Sequence, residues 1–374
     1  MTTTKKRPEF IALPGGLGEL ALSGARPLIG ILLGLLAGAG LIALSGVNPL
    51  AAYAAMLKGA IGSTQSISNV LVRASPLLLA GVGVAIGIKA GLWNIGAEGY
   101  MYMGAIGAGV VGIAPLPVPP IVHITLALLA GAVVGGFWGL LPAYLRAYRG
   151  VNEVVTTIMM NYVAIFFVSW MVHEPQPMAE PGAFFPMSRI LAPTARLPIL
   201  MTGTSLHPGF ILGIAACIFF YLALRFTPFG FRTRMLGANP EAARYAGVNV
   251  RRQILVVLLI GAAMGGIAGA VEVMGLKQRV YQDFVAGVGF EAVAVALLAA
   301  GNPLGVLAVA LFFAGLKAGG SAMSVSTGVG GPMTVVIEAL CVIFVIAVGY
   351  SERKRLERVD KAGKEDEEVI QHVG

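Results

Sequence analysis

Long apolar runs separated by short polar breaks dominate the chain. About 20 residues at 1.5 Å rise cross a bilayer's hydrocarbon core. Ten stretches approach that length: 27–46, 68–89, 93–113, 121–143, 153–172, 208–225, 254–275, 287–300, 303–320 and 333–350. The eighth is short, and Gly301-Asn302-Pro303 breaks it from the ninth. Three segments leave the pattern. Residues 174–207 hold six prolines, 226–253 are polar, and 351–374 form a charged tail. The pattern predicts an all-α polytopic membrane protein of about ten transmembrane helices. A membrane domain spans 27–350, preceded by a segment 1–26 that carries Lys5, Lys6 and Arg7. With no clear small-residue cleavage site, the first run reads as a retained helix rather than a signal peptide.

Composition agrees. The chain is 57% hydrophobic and 12% charged, against about 25% charged in soluble domains, so lipid is its natural solvent. The 51 glycines fit membrane helices, where small residues let backbones approach; Gly34/Gly38 and Gly265/Gly269 have the spacing. The net charge of +8 is no sign of nucleic acid, because the basic residues cluster beside apolar runs. Threading ten spans from a cytoplasmic N-terminus leaves 18 Lys and Arg inside, six outside (Lys58, Arg189, Arg196, Lys277, Arg279, Lys317) and two, Arg73 and Lys89, undecided. That bias predicts a multi-pass inner-membrane protein with both termini in the cytoplasm. Segment 174–207 becomes an external loop and 226–253 the largest internal one. Cys217 and Cys341 lie inside apolar runs, which argues against disulfides and metal.

No Gly-x-x-x-x-Gly-Lys-Ser/Thr phosphate loop, His-Glu-x-x-His pair or serine nucleophile elbow occurs. The chain is therefore expected to be no enzyme, with no catalytic residue, metal or cofactor of its own. Glu98, Glu153, Glu272, Glu291 and Glu338 lie in or near spans; ionisable groups at membrane depth are costly and face a cavity or a partner. Asn94, Asn161 and Glu98 are suited to hydrogen-bond a sugar hydroxyl or a base edge, and Trp93, Tyr100, Tyr102 and Tyr162 to line a passage for a flat base. Helix-to-helix hydrogen bonding and interfacial anchoring account for the same residues. Arg73 and Lys89 read as snorkelling or pairing groups. A weak repeat relates Gly87-Ile88-Lys89…Gly96-Ala97-Glu98 to Gly275-Leu276-Lys277…Gly289-Phe290-Glu291. The copies would face opposite sides, as in an inverted repeat, although short glycine-rich matches also arise by chance.

The loop 226–253 spells a short surface helix. Asn239 suits the N-cap, Pro240 the first turn, Glu241 the helix dipole and Gly247 the left-handed residue past the end. Ala242, Ala243 and Ala246 would give a small docking face, with Arg244 beside them. On physics alone an ordinary connecting helix is the better account of these residues.

Glu241-Ala242-Ala243-x-x-x-Gly247 resembles the Glu-Ala-Ala-x-x-x-Gly element of ABC importer permeases. The continuation through Val248–Ile254 and Gly261–Gly269 resembles the branched-chain amino acid and simple-sugar permease family, over about residues 65–350. The resemblance implies a type II fold, like that of the vitamin B12 importer permease. It makes Asn239, Pro240, Glu241, Ala242, Ala243, Arg244 and Gly247 the coupling helix seated in an ATP-binding subunit. Gly91-Leu92-Trp93-Asn94-Ile95-Gly96-Ala97-Glu98-Gly99-Tyr100-Met101 and Asn152–Tyr162 resemble the nucleoside-type branch. Trp93, Asn94, Glu98, Tyr100, Glu153, Asn161 and Glu291 are the candidate pathway residues. Implied partners are the ATP-binding subunit, which uses the ATP, a second permease subunit, identical or related, an extracytoplasmic substrate-binding lipoprotein and membrane lipid. Two alternatives stand beside the nucleoside reading. One is a permease of this build for a monosaccharide or branched-chain amino acid; the other is an ion-coupled secondary transporter using Glu98 or Glu291 as a proton relay.

Overall fold

A computed structural model describes residues 16–348, with side chains from residue 29. The basic residues Lys5–Arg7 and the tail 351–374 lie outside the described residues. Fourteen α-helices are described: α1 (Gly16–Leu44), α2 (Pro49–Ile61), α3 (Thr64–Lys89), α4 (Ala97–Ile113), α5 (Pro120–Trp138), α6 (Leu140–Arg149), α7 (Glu153–Met171), α8 (Gly209–Phe226), α9 (Pro228–Ala238), α10 (Pro240–Tyr245), α11 (Val250–Glu272), α12 (Val288–Leu298), α13 (Pro303–Thr327) and α14 (Pro332–Val348). A π-helical turn, Val273–Lys277, extends α11.

Each of the ten expected spans overlaps helical structure, and 121–143 takes in two helices, α5 and α6. Among the described residues, six helical stretches are long and apolar enough to cross a membrane: Thr64–Lys89, Pro120–Arg149, Glu153–Met171, Gly209–Phe226, Val250–Lys277 and Pro303–Thr327. Among the described residues the regular structure is all helical, and the chain is a multi-pass membrane protein. Several boundaries differ from expectation for local reasons. Helix α1 begins at Gly16, so the expected boundary at 26/27 falls inside it. Helix α2 was not expected, because 13 residues are too short for a spanning window. Helix α4 starts at Ala97 rather than 93, because side chains from α7 hold Trp93–Gly96 out of helical geometry.

The described chain divides into two compact units. In one, α1 and most of α14 pack closely: a Cβ on Gly34 would lie 2.5 Å from the Cys341 Cα, and one on Gly30 2.5 Å from that of Val345.

The other unit, residues 50–334, is built around α3 and α11. Helix α11 packs on α4 and α5, while α3 packs on α12 and α13. Glycines set the spacing. A Cβ on Gly104 would run into the backbone of Gly266, one on Gly135 would lie 2.6 Å from the Gly266 Cα, and one on Gly83 2.7 Å from the Gly261 carbonyl oxygen. Backbones this close exchange dispersion contacts that no larger residue permits.

Helices α4 and α12 start from a shared point and run apart. Glu98, in the first turn of α4, accepts hydrogen bonds from the backbone N–H of Gly287 (2.8 Å) and Gly289 (2.7 Å) at the start of α12. Helix α4 then runs toward segment 174–207, where the Gly112 carbonyl accepts from Ala192 N–H. Helix α12 runs the other way, ending where Gly301 meets Ala85 and Ile88 of α3.

Segment 174–207 folds back on this unit. Ser188, Leu191 and Leu197 donate backbone hydrogen bonds to Val280, Gln278 and Met274, and Arg279 pairs with Glu180 at 3.2 Å. His123 is held by the Val111 carbonyl (3.0 Å) and Thr194 (2.9 Å), which gives it a structural role.

Candidate functional site

The polar chemistry of the 50–334 unit gathers in three places. The first is the segment α9–α10. Thr227 caps α9 by accepting from Gly230 N–H, Asn239 caps α10 through Glu241 N–H (2.9 Å) and Ala242 N–H (3.1 Å), and Asn249 caps α11 through Arg252 N–H. Each side chain satisfies a donor that the first helical turn leaves orphaned. Pro240 occupies the first turn, and Gly247 takes φ +81°, a left-handed conformation that glycine adopts freely. Ala243 is fully buried and Val248 nearly so. This corrects the expected docking face: Ala243 is the anchor, since a six-residue helix must bury something to hold its place. Glu241, Ala242, Arg244, Tyr245 and Ala246 face outward, with Tyr245 92% exposed. Tyr245 was not expected in this role; an aromatic on the polar side of a capped helix was the available signal.

This segment is jointed to both long helices. Gly237 of α9 lies against the Lys89 carbonyl at the end of α3. Gln253 of α11 donates to Thr233 of α9 at 2.8 Å in a buried bond.

The second place is the break between α3 and α4, which holds most of the expected pathway residues. Asn94 accepts from Gly96 N–H (3.0 Å) and from the Tyr100 hydroxyl (3.1 Å). Asn161 accepts from Gly99 N–H (2.9 Å) and donates to the Ile95 carbonyl (2.8 Å). Glu153 accepts from Trp93 N–H (3.1 Å) and pairs with Arg146 at 3.1 Å. Asn94, Glu98, Tyr100, Glu153 and Asn161 are all buried, whereas Trp93 is exposed. These side chains satisfy backbone groups that a broken helix strands in a low-dielectric interior.

The third place is a cavity of about 360 Å³ between α3, the π turn, α12 and α13, within the range of about 300–1,000 Å³ typical of ligand pockets. Of the expected pathway residues only Glu291 lines it. Arg73, Glu272, Lys277 and Lys317 join it. Lys317 pairs closely with Glu291, and Lys277 lies 4.0 Å from Glu272. The Glu291 Oε2 is buried with no hydrogen-bond donor. An apolar wall faces these charges, including Val72, Pro76, Leu77 and Phe284; Tyr102 packs edge-on against Phe284 at 5.1 Å. The sequence hid this cluster because it draws on five separate stretches. Glu272, Glu291 and Lys317, ionisable groups in or beside apolar runs, were the local signs. Among the described residues no group of three or more His, Cys, Asp or Glu is placed to hold a metal.

Residues 66–347 match the family described as branched-chain amino acid transport system / permease component. The chain is 35% identical to the glucose ABC transporter permease protein TsgB13 of Haloferax volcanii, over 82% of each chain. It is 33% identical to the guanosine ABC transporter permease protein NupP of Bacillus subtilis, over 90% of this chain and 97% of that one. It is 32% identical to the nucleoside ABC transporter permease protein NupB of Lactococcus lactis, over 87% and 90%. No solved structure matches. With three-quarters of its length inside the match, and relatives similar almost end to end, the chain belongs to the branched-chain amino acid transport system permease family.

Proposed function

We propose that this chain forms the translocation pathway of an ATP-driven nucleoside importer. An ATP-binding subunit docks on α10, a second permease chain completes the pathway, and an extracytoplasmic binding protein delivers the cargo. ATP is used by the partner, and this chain needs no cofactor. The observation that carries the reading is the capped helix Asn239–Gly247, anchored by Ala243 and jointed to α3 and α11, with Glu241, Arg244 and Tyr245 turned outward. A lever of this kind passes a rigid-body movement of the motor to the long helices. The remaining features of the reading are ten crossings, a type II arrangement with both termini in the cytoplasm, and an inverted repeat pairing α3–α5 with α11–α13. The reciprocal packing of α11 on α4 and α5, and of α3 on α12 and α13, favours the repeat.

Nucleosides are favoured as cargo because two of the three relatives named above are nucleoside or guanosine permeases and cover more of this chain than the glucose permease does. The glucose relative, at 35% identity, supports a monosaccharide as the second reading. The test is uptake into proteoliposomes holding the assembled transporter. Glu241→Lys and Tyr245→Ala are expected to abolish uptake of labelled uridine or guanosine while leaving ATP hydrolysis and membrane insertion in place. Wild-type uptake in both variants removes the docking role. Failure of either nucleoside to compete removes the nucleoside reading.

A further inference from the structure

The cavity beside α3 combines three features. Its charges are mixed: Arg73, Lys277 and Lys317 stand against Glu272 and Glu291, a formal sum of +1 in which two cations already engage carboxylates. An anion entering it meets two carboxylates, and a cation meets three basic groups, so the lining fits a neutral ligand carrying both donors and acceptors. Second, the Glu291 Oε2 is a buried acceptor lacking a donor, an unfavourable state; a hydroxyl group supplies the missing hydrogen bond. Third, the wall is strained. Lys277 ends a π turn, and the segment that follows holds three non-glycine residues at positive φ, Gln278 (57°), Asp283 (56°) and Ala286 (44°). Strain of this kind concentrates at ligand clamps and moving parts.

We infer that this cavity is a station for the vicinal diol of a sugar, with Glu291 accepting from the hydroxyls, Lys317 donating to them, and Phe284 and Pro76 bounding the apolar face of the ligand. The ribose of a nucleoside and the ring of a hexose share this chemistry. The inference rests on the importer reading above and assigns that importer's cargo a place in this chain.

The test uses the full chain with its partner subunits in nanodiscs. Cys217 and Cys341 are both buried; replacing both with Ala and introducing Ser205→Cys puts one thiol on the cavity lining. Its rate of modification by a small methanethiosulfonate reagent is then read. Uridine or D-glucose, at about ten times its dissociation constant, is expected to slow labelling about tenfold, and the one that protects identifies the source of the diol. The matching analogue without a vicinal diol, 2′,3′-dideoxyuridine or 2,4-dideoxyglucose, is expected to leave the rate unchanged at that concentration. Glu291→Gln is expected to weaken protection about tenfold. The diol station is overturned if neither compound protects, or if the analogue protects equally well; both outcomes are read on the Ser205→Cys chain whether or not Glu291→Gln folds. Uridine uptake without protection overturns the station and leaves the importer standing, whereas absence of all uptake overturns the importer.

Discussion

His207 sits at the entrance to α8, with Nδ1 accepting from Gly209 N–H at 3.2 Å and Nε2 pressed against Gly275. Burial pushes its pKa down from 6.5 to about 4, because the charged imidazolium loses its water. The sign follows. The unfolded chain takes up a proton as pH falls through about 6.5, and the folded chain does so only near 4, so stability is lost across that window and amounts to about 3 kcal/mol at its foot. His207→Asn keeps an acceptor for Gly209 and removes the titration. The melting temperature of wild type in detergent is expected to fall from pH 7 to pH 4 more steeply than that of the variant; parallel curves would count against the assignment. At this scale the sequence was most informative where a residue acts on its neighbours. Asn239, Pro240 and Gly247 specify a helix and its ends within nine positions, and the structure has each in its expected local role. It was least informative for Asn161 and Glu153, whose backbone partners lie about 60 residues away; polarity marked them as important without saying whether a backbone or a cargo uses them.

Elements meet through caps that cross between helices. The Glu98 carboxylate serves as the N-terminal cap of α12 although it belongs to α4, and two N–H groups that α12 cannot satisfy itself depend on it. Removing it strands both in the interior. Glu98→Ala is expected to cost about 3 kcal/mol, at about 1.5 kcal/mol or more per hydrogen bond to a charged group, and Glu98→Gln less, since one acceptor oxygen remains. Thermal unfolding of the purified variants measures both, and equal stability of all three proteins would show that the cap is dispensable. Apolar periodicity made every expected span legible as a helix. It could not show that α12 starts where α4 starts, because that meeting is fixed by a side chain 189 residues from the Gly287 it holds. The π turn at 273–277 was hidden for a similar reason: nothing in Val-Met-Gly-Leu-Lys distinguishes it from a continuing α-helix, and its stabilising contacts come from segment 174–207.

Across the 50–334 unit, α3 and α11 each reach from the α9–α10 joint to the charged cavity. In the proposed topology the cavity opens outside and the joint lies inside. Phe185→Cys and Pro240→Cys, each in the cysteine-free background, are expected to react with an impermeant thiol reagent from opposite sides of sealed cells or inverted vesicles. Reaction of both from one side would require a different threading.

The glycines that join α4, α5 and α11, and those that join α3 to α11, have no rotamers to exchange. Four helices are therefore fastened backbone to backbone, and they have no side-chain cushion on which to slide. Toward α12 and α13, by contrast, Gly81 of α3 faces the side chains of Val306 and Val295, which can repack. A motor pulling on the α9–α10 joint would turn the fastened helices as one body, and the seam that gives is the one between α3 and the pair α12 and α13, which carry Glu291 and Lys317.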